Sequence, residues 1–351
     1  MSKKKVLVGM SGGVDSSVTA YLLKQQGYDV YGAYIVTLTK EEKQKDIHDA
    51  QMVCDILQIP FFTIDAQAIF KEKVIDYFVA EYQAGRTPNP CMICNRHVKW
   101  ASLLHNQQVI DVDYVATGHY ANISKAANGR YSIKTAKTAT KDQTYMLFNL
   151  TQKQLAKTMF PLGNYQKTEV REMAKNISDK IAVKSDSQEI CFIADNDYIN
   201  YIEKHSDKKI VPGNFVDQQN KVLGKHSGII RYTIGQRRGL EINLNKRLFV
   251  TEIRPETNEV VLGDAKDLLF KGCVINNVNY MQIPKVENEI ACFAKVRFSQ
   301  GLNPCTIRRL NDAEIECIFD TPQRAITKGQ GFVAYQDEYI LLGGIIDRII
   351  K

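Results

Sequence analysis

Nowhere in the 351 residues does an apolar run approach the ~20 residues that a membrane-spanning helix needs, so the chain is not expected to cross a bilayer. No secretory leader is expected either. Met1-Ser2-Lys3-Lys4-Lys5 has the basic start of one, but the apolar run behind it is only Val6 to Val8 before glycine and serine intervene. In a chain this long without a leader, the eight cysteines (Cys54, Cys91, Cys94, Cys191, Cys273, Cys292, Cys305 and Cys317) read as thiols rather than a disulfide framework, and the cytoplasm is the expected compartment. There is no second C-x-x-C and no spaced histidine pair, which argues against structural zinc. Internal repeats and low-complexity tracts are absent as well.

What is present describes a folded, multi-domain protein. Hydrophobic residues make up 44% and charged residues 24% of the chain, which excludes disorder. The length suits two or three cores of roughly 100–200 residues each. A formal net charge of +7 admits a polyanionic partner without demanding one.

The first half alternates strands and helices. Apolar runs at Lys4 to Met10, Val30 to Val36, Phe61 to Ile64 and Tyr114 to Thr117 predict strands. Helical spacing at Ser16 to Gln26, Asp46 to Leu57 and Phe70 to Tyr82 predicts helices between them. That rhythm implies an α/β fold with a parallel sheet, whose ligands bind beyond the carboxyl ends of the strands. After about residue 205 the pattern changes, and from about residue 272 short alternating segments suit a small β-barrel. The expected domains are a catalytic one over 1–205, a central one over 206–271 and a C-terminal β-barrel over 272–351.

Between the first strand and first helix lies Gly9-Met10-Ser11-Gly12-Gly13-Val14-Asp15-Ser16-Ser17. Paired glycines let the backbone approach an anion, and the following helix directs free N–H groups and a positive dipole at it. The three serines add hydroxyl donors, and Asp15 suits a magnesium ion on the phosphates. The Gly-Lys-Ser/Thr ending of a Walker A loop is not there. The SGGVDSS string instead resembles the PP-loop of the N-type ATP pyrophosphatases, which cleave ATP between its α and β phosphates and adenylate their substrate.

A second motif, Thr87-Pro88-Asn89-Pro90-Cys91-Met92-Ile93-Cys94-Asn95, is a proline-braced loop running into a helix capped by Asn95 or Cys94. A thiol at a helix N-terminus gains thiolate character. Cys191 lies in Asp186-Ser187-Gln188-Glu189-Ile190-Cys191-Phe192. Cys54 and the four cysteines of the β-rich region read as ordinary buried thiols.

Together SGGVDSS, TPNPCMICN, ATGHYA, KDQTYML, DSQEICF, GKHSGIIRYTIGQRRGL and LLGG, in this order from residue 9 to residue 344, resemble the tRNA-specific 2-thiouridylases. The resemblance implies ATP-dependent replacement of the 2-oxygen of a wobble uridine by sulfur, in tRNAs for Lys, Glu and Gln. It implies Mg²⁺ bound with ATP, tRNA as substrate, and a cysteine desulfurase or relay protein as sulfur donor. Cys94 would be the nucleophile and Cys191 the persulfide carrier, joined transiently as a Cys94–Cys191 disulfide. ATP would contact Gly9, Met10, Ser11, Gly12, Gly13, Val14, Asp15, Ser16, Ile35 and Gly118. The target base would meet Asn89, Pro90 and Cys91, and tRNA would meet His119, Lys141, Asp142, Gln143, Arg297, Phe298 and Gln330. Outside that resemblance, His119 reads as a hydrogen-bonded histidine at a sheet end, and Arg237-Arg238 as a turn suited to RNA or to a hinge.

The sequence departs from the family pattern in places. Val36 to Lys45 is short and lacks the usual Trp and acidic cluster, Lys328 stands for a proline, and Ile35 stands for Met or Leu. Cys91 occupies a position where some members carry Asp, which opens an alternative in which Cys91, Cys94 and Cys191 hold a [4Fe–4S] cluster. Two rival readings are a PP-loop synthetase that adenylates a small molecule, and a catalytically idle RNA-binding or sulfur-relay protein. ATP consumption that depends on tRNA separates the three.

Overall fold

A computed structural model describes residues 3–185, 190–193, 197–240, 242 and 246–351. The N-terminal apolar runs form β1 (Lys5–Gly9), β2 (Asp29–Val36), β3 (Phe61–Asp65) and β4 (Tyr114–Ala116). A hairpin follows, β5 (Asn122–Lys125) and β6 (Tyr131–Lys134), and then the short β7 (Thr158–Met159). Five of these make one sheet in the order β3-β2-β1-β4-β7, with every pairing parallel. Successive side chains of a strand face opposite ways. Val6 and Val8 of β1 therefore enter the core that holds Val18, Leu23 and Val53, and Leu7 enters the one that holds Trp100, Leu103 and Val115. Both faces are covered, as a parallel sheet requires.

The helices differ from expectation at their starts. The second runs over Lys40–Leu57, beginning before Asp46. Its first turn is polar and carries no apolar period, so it is held by a capping box instead. The Glu42 N–H donates to Thr39 Oγ1 (3.3 Å), and the Thr39 N–H donates back to the Glu42 carboxylate (2.9 Å). The helix expected over Phe70 to Tyr82 forms as one continuous run, Gln67–Phe70, a π turn at Lys71–Ile75, then Asp76–Gln83.

In the second half, β8 (Gly213–Val216), β9 (Val222–His226), β10 (Phe249–Arg254) and β11 (Glu259–Gly263) form a sheet in the order β10-β11-β8-β9. Then come β12 (Leu269–Tyr280), β13 (Ile290–Lys295), β14 (Asn303–Arg309), β15 (Ile315–Arg324), β16 (Gly331–Gln336) and β17 (Tyr339–Ile350). These six close into the expected barrel through the β12–β17 pairing. The β5–β6 hairpin extends the barrel sheet, pairing Lys134 with Tyr339. Ser132 Oγ seals that junction by donating to the Ile340 carbonyl at 2.8 Å. Among the described residues no helix is long and apolar enough to cross a membrane.

The barrel also grips the segment that leads to the cysteine loop. Arg86 donates to Glu81 (2.9 Å), to Asp347 (3.1 Å) and to the Ile346 carbonyl (3.2 Å), with under a third of each charged side chain exposed. Arg86→Met would strand two carboxylates and is expected to cost about 2 kcal/mol. A urea midpoint unchanged from the parent chain would show that this junction does not contribute.

Candidate active site

The loop after β1 turns sharply. Gly12 has φ +71°, and a Cβ there would stand 2.7 Å from Asp49 Cβ and 2.8 Å from the Ala50 nitrogen. The turn is cross-tied by its own serines. The Ser11 N–H donates to Ser16 Oγ (3.2 Å), and Ser17 Oγ donates to the Gly13 carbonyl (2.7 Å). Gly13 caps helix Val14–Gln25 without a side-chain acceptor, so first-turn N–H groups remain for an anion. From the end of β4, Gly118 closes on the loop, where a Cβ would meet the Asp15 carbonyl carbon at 2.8 Å and the Ser16 nitrogen at 2.9 Å. Ile35, near the end of β2, is half-buried in the same crevice wall.

Two lysines from beyond β7 reach this loop. Lys167 Nζ contacts both Asp15 carboxylate oxygens at 2.7 and 2.8 Å, and the Tyr120 hydroxyl donates to one of them at 2.8 Å. Lys184 Nζ donates to the Gly12 carbonyl (2.8 Å) and to Asp49 (2.7 Å). Arg171 holds the Lys184 segment through the Ala182 and Lys184 carbonyls at 2.8 and 3.0 Å. An anionic ligand at the loop would therefore meet N–H dipoles and two ammonium groups, each held by a carboxylate, Asp15 or Asp49.

The cysteine helix begins earlier than its sequence suggested. It starts at Pro90 with Asn89 as the cap, whose side chain accepts the Cys91 N–H at 3.2 Å. Cys94 thus lies past the first turn of one continuous run, Pro90–Cys94, the π turn Asn95–Lys99 and Trp100–Val109, beyond the reach of the N-terminal dipole. Burial pushes the Cys94 thiol up to about 12, while the Lys99 ammonium pulls the other way. Burial raises Cys91 too, although part of that residue is exposed. A π turn over Asn95–Lys99 explains how Lys99 gets there, since the Trp100 N–H bonds back five residues to Asn95. A regular α-helix would set Lys99 about 140° around the axis from Cys94; the wider turn brings it back to the cysteine side. Lys99 interacts with Cys94, Cys91 and Cys191, and these thiols keep its pKa raised despite burial.

Cys191 arrives from a different part of the chain. It is exposed, while its neighbour Phe192 is buried edge-on against Phe70 (5.6 Å) and Phe78 (5.4 Å) in the cluster that includes Cys94. Lys43 Nζ donates to the Cys191 carbonyl at 3.4 Å. All eight cysteines are free. Among the described residues no three His, Cys, Asp or Glu side chains converge closely enough to hold a metal ion. Cys91, Cys94 and Cys191 all lie within electrostatic range of the Lys99 ammonium.

Residues 4–195 match the family described as a tRNA methyl transferase HUP domain, residues 199–264 its PRC-barrel domain, and residues 270–346 an aminomethyltransferase β-barrel domain. A tRNA-specific 2-thiouridylase MnmA from Lachnoclostridium phytofermentans is 51% identical, over 98% of this chain and 99% of its own length. The protein of that name from Clostridioides difficile is 48% identical over 98% of both chains. This chain belongs to the tRNA-specific 2-thiouridylase family. Among solved structures, NMN synthetase from Francisella tularensis aligns with a TM-score of 0.34 at 18% identity, over 53% of this chain and 67% of that one.

Against the thiouridylase pattern, the structure gathers the phosphate loop, Ile35, Gly118 and the Asn89–Cys94 segment at the carboxyl end of the parallel sheet. Other residues face inward. Half-buried His119 shares a hydrogen bond with Thr117 Oγ1 at 2.8 Å beside Trp100 and Phe160, and desolvation lowers its pKa to about 3. Asp142 accepts the Ala136 and Thr144 N–H groups (2.8 and 3.2 Å), and Gln143 accepts the Tyr120 N–H (2.9 Å). Lys141 lies half-exposed beside them. Gln330 donates to the Thr87 carbonyl at 2.8 Å, gripping the base of the cysteine loop. Arg297 donates to the Ile234 carbonyl at 3.0 Å and to Thr327, tying the central region to the barrel, while Phe298 is exposed with its ring 6.2 Å from Tyr145. Asp186 to Glu189 of the second cysteine motif lie outside the described residues. Lys99, Lys167 and Lys184 escaped the sequence reading, because a single lysine carries no pattern until the fold sets it beside a thiol or a carboxylate.

Proposed function

We propose that this chain replaces the 2-oxygen of the wobble uridine of tRNA by sulfur, using ATP and releasing AMP and pyrophosphate, in the cytoplasm. One observation carries the reading: a phosphate loop with two lysines and a carboxylate opens on the same sheet end as a loop whose two thiols share Lys99 with a third, Cys191. The phosphate loop suits the first step. Uridine O2 attacks the α-phosphorus, pyrophosphate leaves, and the adenylated oxygen becomes a good leaving group. Mg²⁺, arriving with ATP, would be held by Asp15 and the phosphates.

The thiols suit the second step. Cys191, exposed, takes sulfur from a cysteine desulfurase or relay protein and carries it as a persulfide. Cys94 attacks the inner sulfur of that persulfide, forming the Cys94–Cys191 disulfide and expelling hydrosulfide, which adds at C2 and displaces AMP. A thiol reductant then reopens the disulfide. Lys99 is the local cation, and at Cys94 it pulls against the burial that raises that thiol. Asn89, Pro90 and Cys91 border the base, and Lys141 and Phe298 offer a cation and an exposed ring to the RNA. The division into 1–205, 206–271 and 272–351 remains our reading of which parts do chemistry and which hold tRNA.

The test is anaerobic incubation with tRNA, Mg-ATP, a cysteine desulfurase, cysteine and a thiol reductant, followed by mass spectrometry of the nucleosides. A 2-thiouridine product at the wobble position of tRNAs for Lys, Glu and Gln is expected, with one AMP formed per sulfur inserted. AMP formation that does not depend on tRNA would overturn the reading in favour of small-molecule adenylation.

A further inference from the structure

Four buried thiols lie far from the reaction centre, in the barrel: Cys273, Cys292, Cys305 and Cys317. Spread along the sequence, they become one row across β12, β15, β14 and β13. Cys292 and Cys305 stand directly opposite each other on the antiparallel β13 and β14, with their sulfurs 3.7 Å apart. Cys273 faces Cys317 in the same way on β12 and β15. Cys292 and Cys305 share one S–H···S hydrogen bond in which either sulfur can donate, so the two thiols hold one proton between them most easily when one is the thiolate. A cavity of about 390 Å³ is lined by Cys292 and Cys305, with Asp320 and Asp337 also in its wall.

We propose that Cys292 and Cys305 form a reversible cross-strand disulfide through exchange with a small neutral or cationic disulfide that enters by this cavity. Directly opposed residues of an antiparallel pair have Cβ atoms about 4.5–5.5 Å apart, close to what a disulfide spans, so a small strand adjustment closes the bond. The Cys305 thiolate attacks one sulfur of the incoming R–S–S–R, breaking its bond, and one RS⁻ leaves. Cys292 passes its proton to that thiolate and attacks Cys305 Sγ in the mixed disulfide, expelling the second RS⁻, which takes a proton from water. Two protein thiols are oxidised to one cystine and one small disulfide is reduced to two thiols. The two aspartates of the wall favour cationic over anionic partners. The bond would tie the strands just below the turn that carries Arg297 and Phe298, between Lys295 and Asn303. None of this depends on the thiolation mechanism.

The test uses the full chain with Cys94→Ser and Cys191→Ser, so that only other thiols respond. It is exposed to cystamine, a dicationic disulfide, and mapped by mass spectrometry without reduction. We expect a Cys292–Cys305 linked peptide in most molecules, a mass loss of two hydrogens and full reversal by dithiothreitol. Cys317→Ala should retain the link and Cys305→Ala should remove it. Oxidised glutathione, an anion, should react at least several-fold more slowly. Absence of the linked peptide in a chain whose circular dichroism is unchanged overturns the proposal. So does Cys292 pairing equally with Cys273 and Cys317, because scrambling means that oxidation followed unfolding.

Discussion

Cys94→Ser is expected to lower 2-thiouridine formation at least about a thousandfold, and Cys191→Ser by a comparable factor, while nucleotide binding stays intact. Serine keeps the volume but is a far poorer nucleophile near neutral pH and cannot carry a persulfide. The two losses should not multiply in the double variant, since the proposed mechanism gives both thiols one sulfur transfer. The phosphate loop hangs from β1 and the cysteine segment from a helix packed on the barrel, so removing either thiol leaves the ATP subsite untouched. Single-turnover nucleoside analysis beside equilibrium nucleotide binding reads both halves. Appreciable thiolated tRNA from either variant would remove that cysteine from the mechanism.

Asp15→Ala is expected to slow AMP formation by on the order of 100- to 1000-fold, and Lys167→Met by a similar amount. In the structure these two side chains hold each other, with Tyr120 as a third partner. A Mg-bound triphosphate offers each a better one, with metal for the carboxylate and phosphate oxygens for the ammonium. The pair leaves neither charge uncompensated, and it is expected to separate on binding Mg-ATP. If the carboxylate serves through the metal as proposed, raising Mg²⁺ should partly rescue Asp15→Asn but not Lys167→Met. Pyrophosphate release assayed against Mg²⁺ concentration tests this; equal rescue of both, or of neither, would place Asp15 outside the metal site.

Much of the fold could be read from periodicity. The parallel strands are short apolar runs, and their helices carry one apolar stripe, so the α/β half and its crevice follow from local pattern. The reading failed where order comes from something other than apolar spacing. The first turn of Lys40–Leu57 is set by a capping box in a polar stretch, and the cysteine helix by the Asn89 cap and Pro90 at its first position. The β5–β6 hairpin left no clear mark because its place is fixed by a partner strand some two hundred positions away.

The sequence by itself determined the phosphate loop, the two cysteine motifs and the family, because those depend on residue type and near spacing: glycines where only glycine fits, and thiols on a proline-braced segment. Tertiary structure decided what surrounds them. It brought Lys99 to the thiols through one wide helical turn, Lys167 and Lys184 to the loop, and four scattered cysteines into a single row. It also turned His119, Asp142, Gln143 and Arg297 toward protein partners. The reason is that charge and hydrogen bonding act over a few ångströms of space, and which groups fall within that range is settled only when the sheet and barrel close.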